Sequence, residues 1–453
     1  MKFKKPFCPK STLFKRSKKA PPNLEIQLTD IKRWQLIEGI KNLHQKSNTS
    51  ITDGSFHNAI KPALIIGQCF GAMPVSNVIS KYPSSLKFTW KSLQSWYAIF
   101  VTLSVGWEAL LTIYWTFSRH LEFGKMVYLV FYVSNFMSFV CFFSLATNWP
   151  DLMMLWHNVE KQLPPYRSKS EKFYLRARMR NIVIIILMLS LIEHILSIIS
   201  ALAIVVDCPR IKNIMKAYYV KSFPQVFSFL PYSTAFGIYI KFIHVTSTFM
   251  WTFTDLFIMM ISCGLSEKFK LINERMLEDK GKFKNPEYWS EYRRHYRSVC
   301  DLVAIIDDKI SFLTILSISN NLFFICVQLL NSMDAIKSYA HATYFWFSLI
   351  YLIIRTLAVS LYSAEINDES KRPIEVFRAI PRESWCLEIR RFSEEVNFDI
   401  VALSGKRFFF LTRSLVLSVA GTIITYELVL IQFKTDDDIT DYDPCWSNYT
   451  TIF

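Results

Sequence analysis

Polar side chains occur inside several long apolar runs of this chain, where few of them are tolerated. An ionisable group at the level of the hydrocarbon costs several kcal/mol unless it faces protein, water or a partner. Such side chains therefore either bind a polar ligand or pair with one another inside the protein. The candidate positions, with the aromatic residues near them, are Glu193, His194, Trp251, Asp255, Asn320, Asn321, Gln328, Tyr344, Trp346 and Arg355.

Several of these candidates also have a structural interpretation. Glu193 or Asp255 can pair with Arg355 or His194 in an internal network that binds nothing. Trp251 and Tyr344 can instead belong to the belts of aromatic residues at the membrane interfaces. The sequence leaves both interpretations open.

The elements that carry these residues are membrane spans. The 453 residues are 51% hydrophobic and 16% aromatic, with only 11 glycines and a mean hydropathy of +0.22, which is too apolar for an ordinary soluble protein. A span needs about 20 apolar residues. Seven runs qualify, at approximately 93–117, 126–146, 181–206, 242–263, 310–330, 342–363 and 408–433.

The basic residues predict the orientation of these spans. Most of the 52 Lys and Arg residues fall in four segments on one side, 1–92, 147–180, 264–309 and 364–407. Cytoplasmic loops carry such an excess. The sequence therefore predicts a cytoplasmic N-terminus and an extracellular C-terminus, and the net charge of +15 indicates a membrane surface rather than nucleic acid.

An eighth apolar run, 56–78, is interrupted by Lys61, Pro62, Gly67, Gly71 and Pro74. Because Pro and Gly disfavour a continuous helix, we interpret it as a re-entrant or interfacial segment. The fold class is thus an all-α membrane protein with seven transmembrane helices. Cytoplasmic helix extensions are expected as well, because apolar residues such as Tyr296 and Val303 keep helical spacing up to the fifth span.

These features divide the chain into six parts. The expected parts are a flexible cytoplasmic tail (1–55), the re-entrant segment (56–92), the first six spans with their extensions (93–363), a cytoplasmic anchor or oligomerisation helix (364–407), the last span (408–433) and an extracellular tail (434–453). On this topology Asn448 is an accessible glycosylation sequon. Cys208 and Cys445 lie outside the cell, where they either form a bridge or stay as two free thiols.

Short motifs in this order resemble the insect gustatory receptors, and more narrowly their sugar-receptor branch. Thr425, Tyr426, "ELVLI", Gln432 and Phe433 match the hallmark at the end of the seventh span. Further similar segments are "FHNAIKP", "LPYS", "TDLFIMMIS", "SNNLFF", "AEINDESKRP" and "VALSGKRFFFLTRSL". Together they extend over about residues 56–433.

The resemblance implies a tetramer whose seventh spans line a cation pore, in the plasma membrane of gustatory dendrites. A homotetramer and a heteromer with related gustatory receptors both fit it. It also implies a sugar or polyol ligand in an outward-facing pocket among the first six spans. Aromatic faces that stack on sugar C–H groups, and polar groups that bind hydroxyls, are the chemistry such a pocket needs.

The seventh span has a polar stripe. On a helix Thr425, Val429 or Leu428, and Gln432 share one face, while Glu427 lies elsewhere and is expected to bond to a neighbouring helix. Fourfold symmetry turns each pore-facing position into a ring. We therefore expect Thr425, Val429, Gln432 and Phe433 to form the pore and gate, with inter-helix hydrogen bonding as the alternative role for Gln432.

Other functional classes are disfavoured. The sequence has no HExxH, GxSxG, phosphate-binding glycine loop or clustered Cys/His metal ligands, so neither an enzyme, a cofactor nor a metal is expected. The expected partners are the sugar, permeant cations and membrane lipid. A metabotropic receptor and a sugar transporter stay as alternatives.

Overall fold

Long helices make up most of the structure, a computed structural model that describes residues 55–118, 123–166, 169–206, 213–332, 338–421 and 425. In chain order the helices are α1 (Phe56–Cys69), α2 (Leu93–Phe117), α3 (Phe123–Gln162), α4 (Lys169–Val206), α5 (Ile214–Ser222), α6 (Pro224–Phe227), α7 (Thr234–Glu278), α8 (Pro286–Asn331), α9 (Tyr339–Lys371), α10 (Pro373–Phe377), α11 (Leu387–Phe398) and α12 (413–421).

Six of these helices, among the described residues, are long and apolar enough to cross a membrane. They are α2, α3, α4, α7, α8 and α9, and they contain the first six predicted spans. Polar caps begin three of them, since Ser92, Asn285 and Ser338 each accept a hydrogen bond from the backbone N–H three residues on, at 3.0 to 3.2 Å. Such caps satisfy an otherwise unpaired N–H of the first turn.

The helix extensions beyond the bilayer are long. α7 and α8 have 45 and 46 residues, so each is about 70 Å long at 1.5 Å per residue, more than twice the hydrocarbon thickness. α8 is continuous through Tyr296 and Val303, and both side chains are buried. α7 lies at the centre of the bundle and is buried on most of its faces, because it packs against α3, α4, α8 and α9.

α1 is more regular than the sequence predicted. Lys61, Pro62 and Gly67 do not interrupt it, and the chain leaves the helix only at Phe70 and Gly71, where Gly71 has a φ of +79°. Gly67 serves close packing instead, since a Cβ there would lie 2.7 Å from Cζ of Phe253. The re-entrant placement of this segment stays a prediction.

The segment before the last span differs from the single helix expected at 364–407, since α9 ends at Lys371. It consists of α10, a 3₁₀ turn (Arg382–Ser384), α11, and a small antiparallel hairpin of β1 (Ser404–Gly405) and β2 (Phe409–Phe410). Because residues 409–410 belong to this hairpin, the last helix begins at residue 413 and not at 408. The predicted tails, 1–55 and 434–453, lie outside the described residues except for Ser55.

Candidate functional site

A buried ion pair joins two of the long helices in the interior of the bundle. Arg355 of α9 lies with its Nε 2.9 Å from Oδ2 of Asp255 of α7, and both side chains are almost fully excluded from solvent. The carboxylate also accepts hydrogen bonds from Ser317 at 2.5 Å and from Asn321 at 3.0 Å, both on α8. The charge of Asp255 is therefore compensated from two neighbouring helices, as a buried carboxylate requires.

The guanidinium of Arg355 is enclosed by further partners. Its Nη1 donates to Oγ1 of Thr252 at 3.0 Å, and its plane lies over the rings of Trp251 and Tyr351, with centroids at 4.6 and 5.3 Å. Trp251 Nε1 in turn donates to Asn321 Oδ1 at 2.7 Å. We name these residues the central polar cluster: Trp251, Thr252, Asp255, Ser317, Asn321, Tyr351 and Arg355.

A small polar cavity adjoins this cluster. Ser134 Oγ donates to Asn320 Oδ1 across it at 3.1 Å. The cavity has room for about one water molecule, so a sugar ring does not fit unless the surrounding helices separate. Its lining comes from α3, α7 and α8: Ser134, Asn135, Ser138, Trp251, Thr254, Leu316, Ser317 and Asn320.

A second chain of hydrogen bonds connects α4, α8 and α9. Ser348 donates to Glu193 Oε1 at 2.6 Å and accepts from Gln328 at 3.0 Å. The hydroxyl of Tyr344 lies beside Glu193 and Ser348. The structure thus divides the candidate residues into this chain and the central polar cluster, and Arg355 is close enough to Glu193 to act on it electrostatically.

Three candidates lie outside both groups: Asn320 lines the cavity, and Trp346 and His194 lie apart from it. Trp346 is 47% exposed on the outside of α9 and packs edge-on against Phe345. His194 lies near His244, with ring centroids 6.4 Å apart, and its Nε2 is buried without a hydrogen-bond partner.

Sequence reasoning missed a buried network beneath the loop helix α6. Gln225 Nε2 lies 3.3 Å from both Glu108 Oε1 and the hydroxyl of Tyr132, and that hydroxyl lies 3.3 Å from Nδ1 of His244. Glu108 is fully buried. The carboxylate inside the first predicted span was the available signal, since an intramembrane Glu indicates an internal partner.

A connector holds the start of the last helix against α8 and α9. The carboxylate of Asp307 accepts hydrogen bonds from the backbone N–H and the hydroxyl of Ser404, at 2.6 and 2.7 Å. Asn367 donates to Val401 O at 3.3 Å, and Arg413 pairs with Asp368. We define the connector as residues 399–413.

The expected pore residues lie at the limit of the described chain. Thr425 is exposed, and its Oγ1 donates to the carbonyl of Gly421 at 2.9 Å. The expectations for Glu427, Leu428, Val429, Gln432 and Phe433 fall outside the described residues. So do those for Cys208, Cys445 and the sequon at Asn448.

Comparison with solved structures shows the fold. An insect olfactory receptor, OR5 from Machilis hrabei, is similar with a TM-score of 0.60 and 15% sequence identity, over 83% of this chain and 98% of that chain. The same receptor in complex with eugenol gives a TM-score of 0.58 and 13% identity over the same shares. The predicted all-α multi-span membrane fold is confirmed.

Comparison at the level of sequence shows the family. A family model described as "Trehalose receptor" matches residues 36–445. The gustatory receptor for sugar taste 64f of Drosophila melanogaster is 44% identical over 87% of this chain and 84% of its own length. Gustatory receptor 5a for trehalose, from the same organism, is 37% identical over 93% of each chain. The resemblance found in the motifs is confirmed: this multi-pass membrane protein belongs to the trehalose receptor family of sugar gustatory receptors.

Proposed function

We propose that this protein is a gustatory receptor for sugars or polyols that acts as a ligand-gated, non-selective cation channel. Family membership and the names of the relatives, sugar taste for one and trehalose for the other, support the ligand class. The likeness to an insect olfactory receptor supports the architecture. A central pore shared by four subunits, in a homotetramer or a heteromer with related receptors, is part of the proposal.

The observation that carries the proposal is the small polar cavity beside the central polar cluster. Amide and hydroxyl groups of three helices converge on it, and an indole forms part of its wall, which is the combination that binds carbohydrate. Because the cavity holds about one water molecule, we propose that sugar binding separates α3 from α7 and α8. A ligand that binds the wider state better shifts the population toward that state.

Coupling to the pore is proposed to run along α8 and α9. α8 carries Asn320 at the cavity and Asp307 at the connector. α9 carries Arg355 in the central polar cluster and Asn367 at the connector. A shift of either helix therefore displaces the connector that leads into the last span. The proposed pore lining is Thr425, Val429, Gln432 and Phe433, with Glu427 bonded to a neighbouring helix.

Expression of the protein alone in a cell that lacks taste receptors tests the proposal. We expect sugars or polyols to evoke a cation current under voltage clamp that persists when G-protein signalling is blocked. A current that disappears under this block would support a metabotropic receptor. Sugar uptake in a fixed stoichiometry with charge would support a transporter.

Two sets of substitutions then separate the pocket from the pore. Asn320→Ala is expected to raise the half-activating sugar concentration, whereas Asn331→Ala, at the exposed end of the same helix, is not. Gln432→Ala and Phe433→Ala are expected to change ion permeability or gating. Wild-type permeability, block and gating in both pore variants would exclude the assignment of these residues to the pore.

A further inference from the structure

Three basic side chains from three parts of the fold converge beside α1. Lys61 lies on α1, Lys81 follows it in the loop before α2, and Arg176 lies on α4, which packs against α1. Lys61 Nζ donates to Asn58 Oδ1 at 2.6 Å and lies 3.4 Å from the carbonyl oxygen of Ile79, two residues before Lys81. We call Lys61, Lys81 and Arg176 the basic triad.

The charged groups that act on Lys61 are positive, like Lys61 itself. Its pKa is lowered from the ordinary value by partial burial and by the positive charges of Arg176 and Lys81. Nowhere in the described part of the chain does a carboxylate form an ion pair with any member of the triad. Among the described residues, the triad is therefore a concentration of positive charge without a carboxylate partner.

Three other basic residues of the bundle do have carboxylate partners. Arg178, only two residues after Arg176, is paired with Glu365 at 2.7 Å. Lys268 is paired with Glu160 at 2.9 Å, and Arg293 with Glu388 at 2.9 Å. The triad differs from these three cations, because no described carboxylate pairs with it, and its charge is therefore available to an anionic ligand.

The surroundings of the triad indicate where that partner lies. Ile79, whose carbonyl oxygen lies 3.4 Å from Lys61 Nζ, is 79% exposed. Arg176 precedes the apolar run of α4 at 181–206 by little more than one turn. An exposed apolar side chain beside cations, next to an apolar run, is typical of the boundary between lipid tails and headgroups.

We propose that the basic triad binds the phosphate headgroup of an anionic phospholipid of the cytoplasmic leaflet. That leaflet is negatively charged and attracts basic residues near its surface. The headgroup cancels the repulsion among the three cations while its acyl chains lie along the adjoining apolar residues. Lipid bound there ties α1 to α4.

Thermal unfolding of the full-length protein, purified in detergent, tests this proposal. The triad variant is Lys61→Gln, Lys81→Gln and Arg176→Gln together. The control removes three exposed charges elsewhere, by Lys280→Gln, Arg378→Gln and Arg382→Gln. Each protein is titrated with dioctanoyl phosphatidylserine and with dioctanoyl phosphatidylcholine, because a ligand that binds only the folded state raises the unfolding temperature.

We expect phosphatidylserine to raise the unfolding temperature of the wild type and of the control variant, and not of the triad variant. Without lipid the triad variant should be at least as stable as the wild type, since the repulsion has been removed. Equal protection of the triad variant, or equal protection by phosphatidylcholine, would overturn the proposal. Full protection by water-soluble glycerophosphoserine would identify a free phosphate as the ligand and overturn the assignment to lipid.

A single substitution keeps the test decisive if the triple variant does not fold. Lys81 is exposed in its loop, so Lys81→Gln should leave the fold intact. We expect this variant to need several times more phosphatidylserine for half of the wild-type protection. An unchanged titration curve would contradict the proposal.

Discussion

Asp255 and Arg355 form an ion pair between α7 and α9, with 2.9 Å between Oδ2 and Nε, and their side chains are 0% and 2% exposed. Removing one partner of a buried pair costs more than the pair contributes, because the other charge stays behind without compensation. The two partners are not equivalent in this respect. A carboxylate can take up a proton, whereas the guanidinium of arginine cannot lose one.

The first prediction concerns this asymmetry. Asp255→Asn should lower the free energy of unfolding by roughly 3–5 kcal/mol, since Arg355 stays charged. Arg355→Gln should cost less, because Asp255 can become neutral and keep the hydrogen bonds from Ser317 and Asn321. The double variant should recover part of the loss. Thermal unfolding of the purified proteins measures all three, and strictly additive costs would refute the coupling.

The second prediction concerns the connector. Asp307→Ala removes both hydrogen bonds to Ser404, and each such bond to a charged group contributes about 1.5–3 kcal/mol. We expect a smaller maximal sugar-evoked current at unchanged surface expression. Without these bonds, a movement of α8 is transmitted less effectively to the connector before the last span.

Lys309→Ala is the control for that experiment. Lys309 lies two residues after Asp307 on α8 and is exposed, so its loss should leave the maximal current close to that of the wild type. If the two variants behave alike in patch-clamp recordings, the connector does not transmit the opening movement.

The third prediction concerns a close helix contact. A Cβ at Gly264 of α7 would lie 2.8 Å from Cζ2 of Trp156 and still closer to the ring of Phe56, and these two rings are stacked at 3.8 Å. Gly264→Ala should therefore destabilise the protein by about 1–3 kcal/mol. Gly124→Ala, where no atom lies within 4 Å, should leave the stability unchanged or slightly raised. A shift in unfolding temperature that is equal for both variants would contradict this packing argument.

The fourth prediction concerns pH. Burial lowers the pKa of His57 to about 4, with a smaller effect in the same direction from Lys61 and opposing effects from the Ser80 carbonyl and Glu160. The unfolded chain, with a His pKa of about 6.5, binds a proton in this range that the folded chain does not. The free energy of unfolding therefore falls as the pH is lowered from 6.5 toward 4, by at most about 1.4 kcal/mol per pH unit.

His57→Gln isolates this contribution. Glutamine can still donate to the Ser80 carbonyl, which lies 3.0 Å from His57 Nε2, but it does not titrate. Between pH 7 and pH 5 the wild type should lose more stability than the variant in thermal unfolding. An equal loss of stability in the two proteins would show that the pKa of His57 is not lowered in the folded protein.

For much of the site, the sequence predicts which residues take part but not which of them contact one another. The intramembrane positions Asp255, Asn321 and Arg355 were recognised because polar groups at that depth need partners. Their grouping into one cluster, and the separation of Glu193 into another with Ser348, depended on how neighbouring helices are rotated. Trp346 shows the limit of this reasoning. Its residue type and depth suggested a pocket, but the rotation of α9 leaves its side chain exposed on the outside of the helix.

The sequence by itself determined the membrane as solvent, the positions of the first six spans, their orientation and the family, because hydropathy, basic loops and short motifs are local properties of the chain. Only the tertiary structure decided that Asp255 pairs with Arg355, that Glu108 meets Gln225, that the cavity is small, and that a hairpin precedes the last helix. Each of these depends on contacts between segments far apart in sequence, whose rotation and spacing are set by side-chain packing and not by local composition.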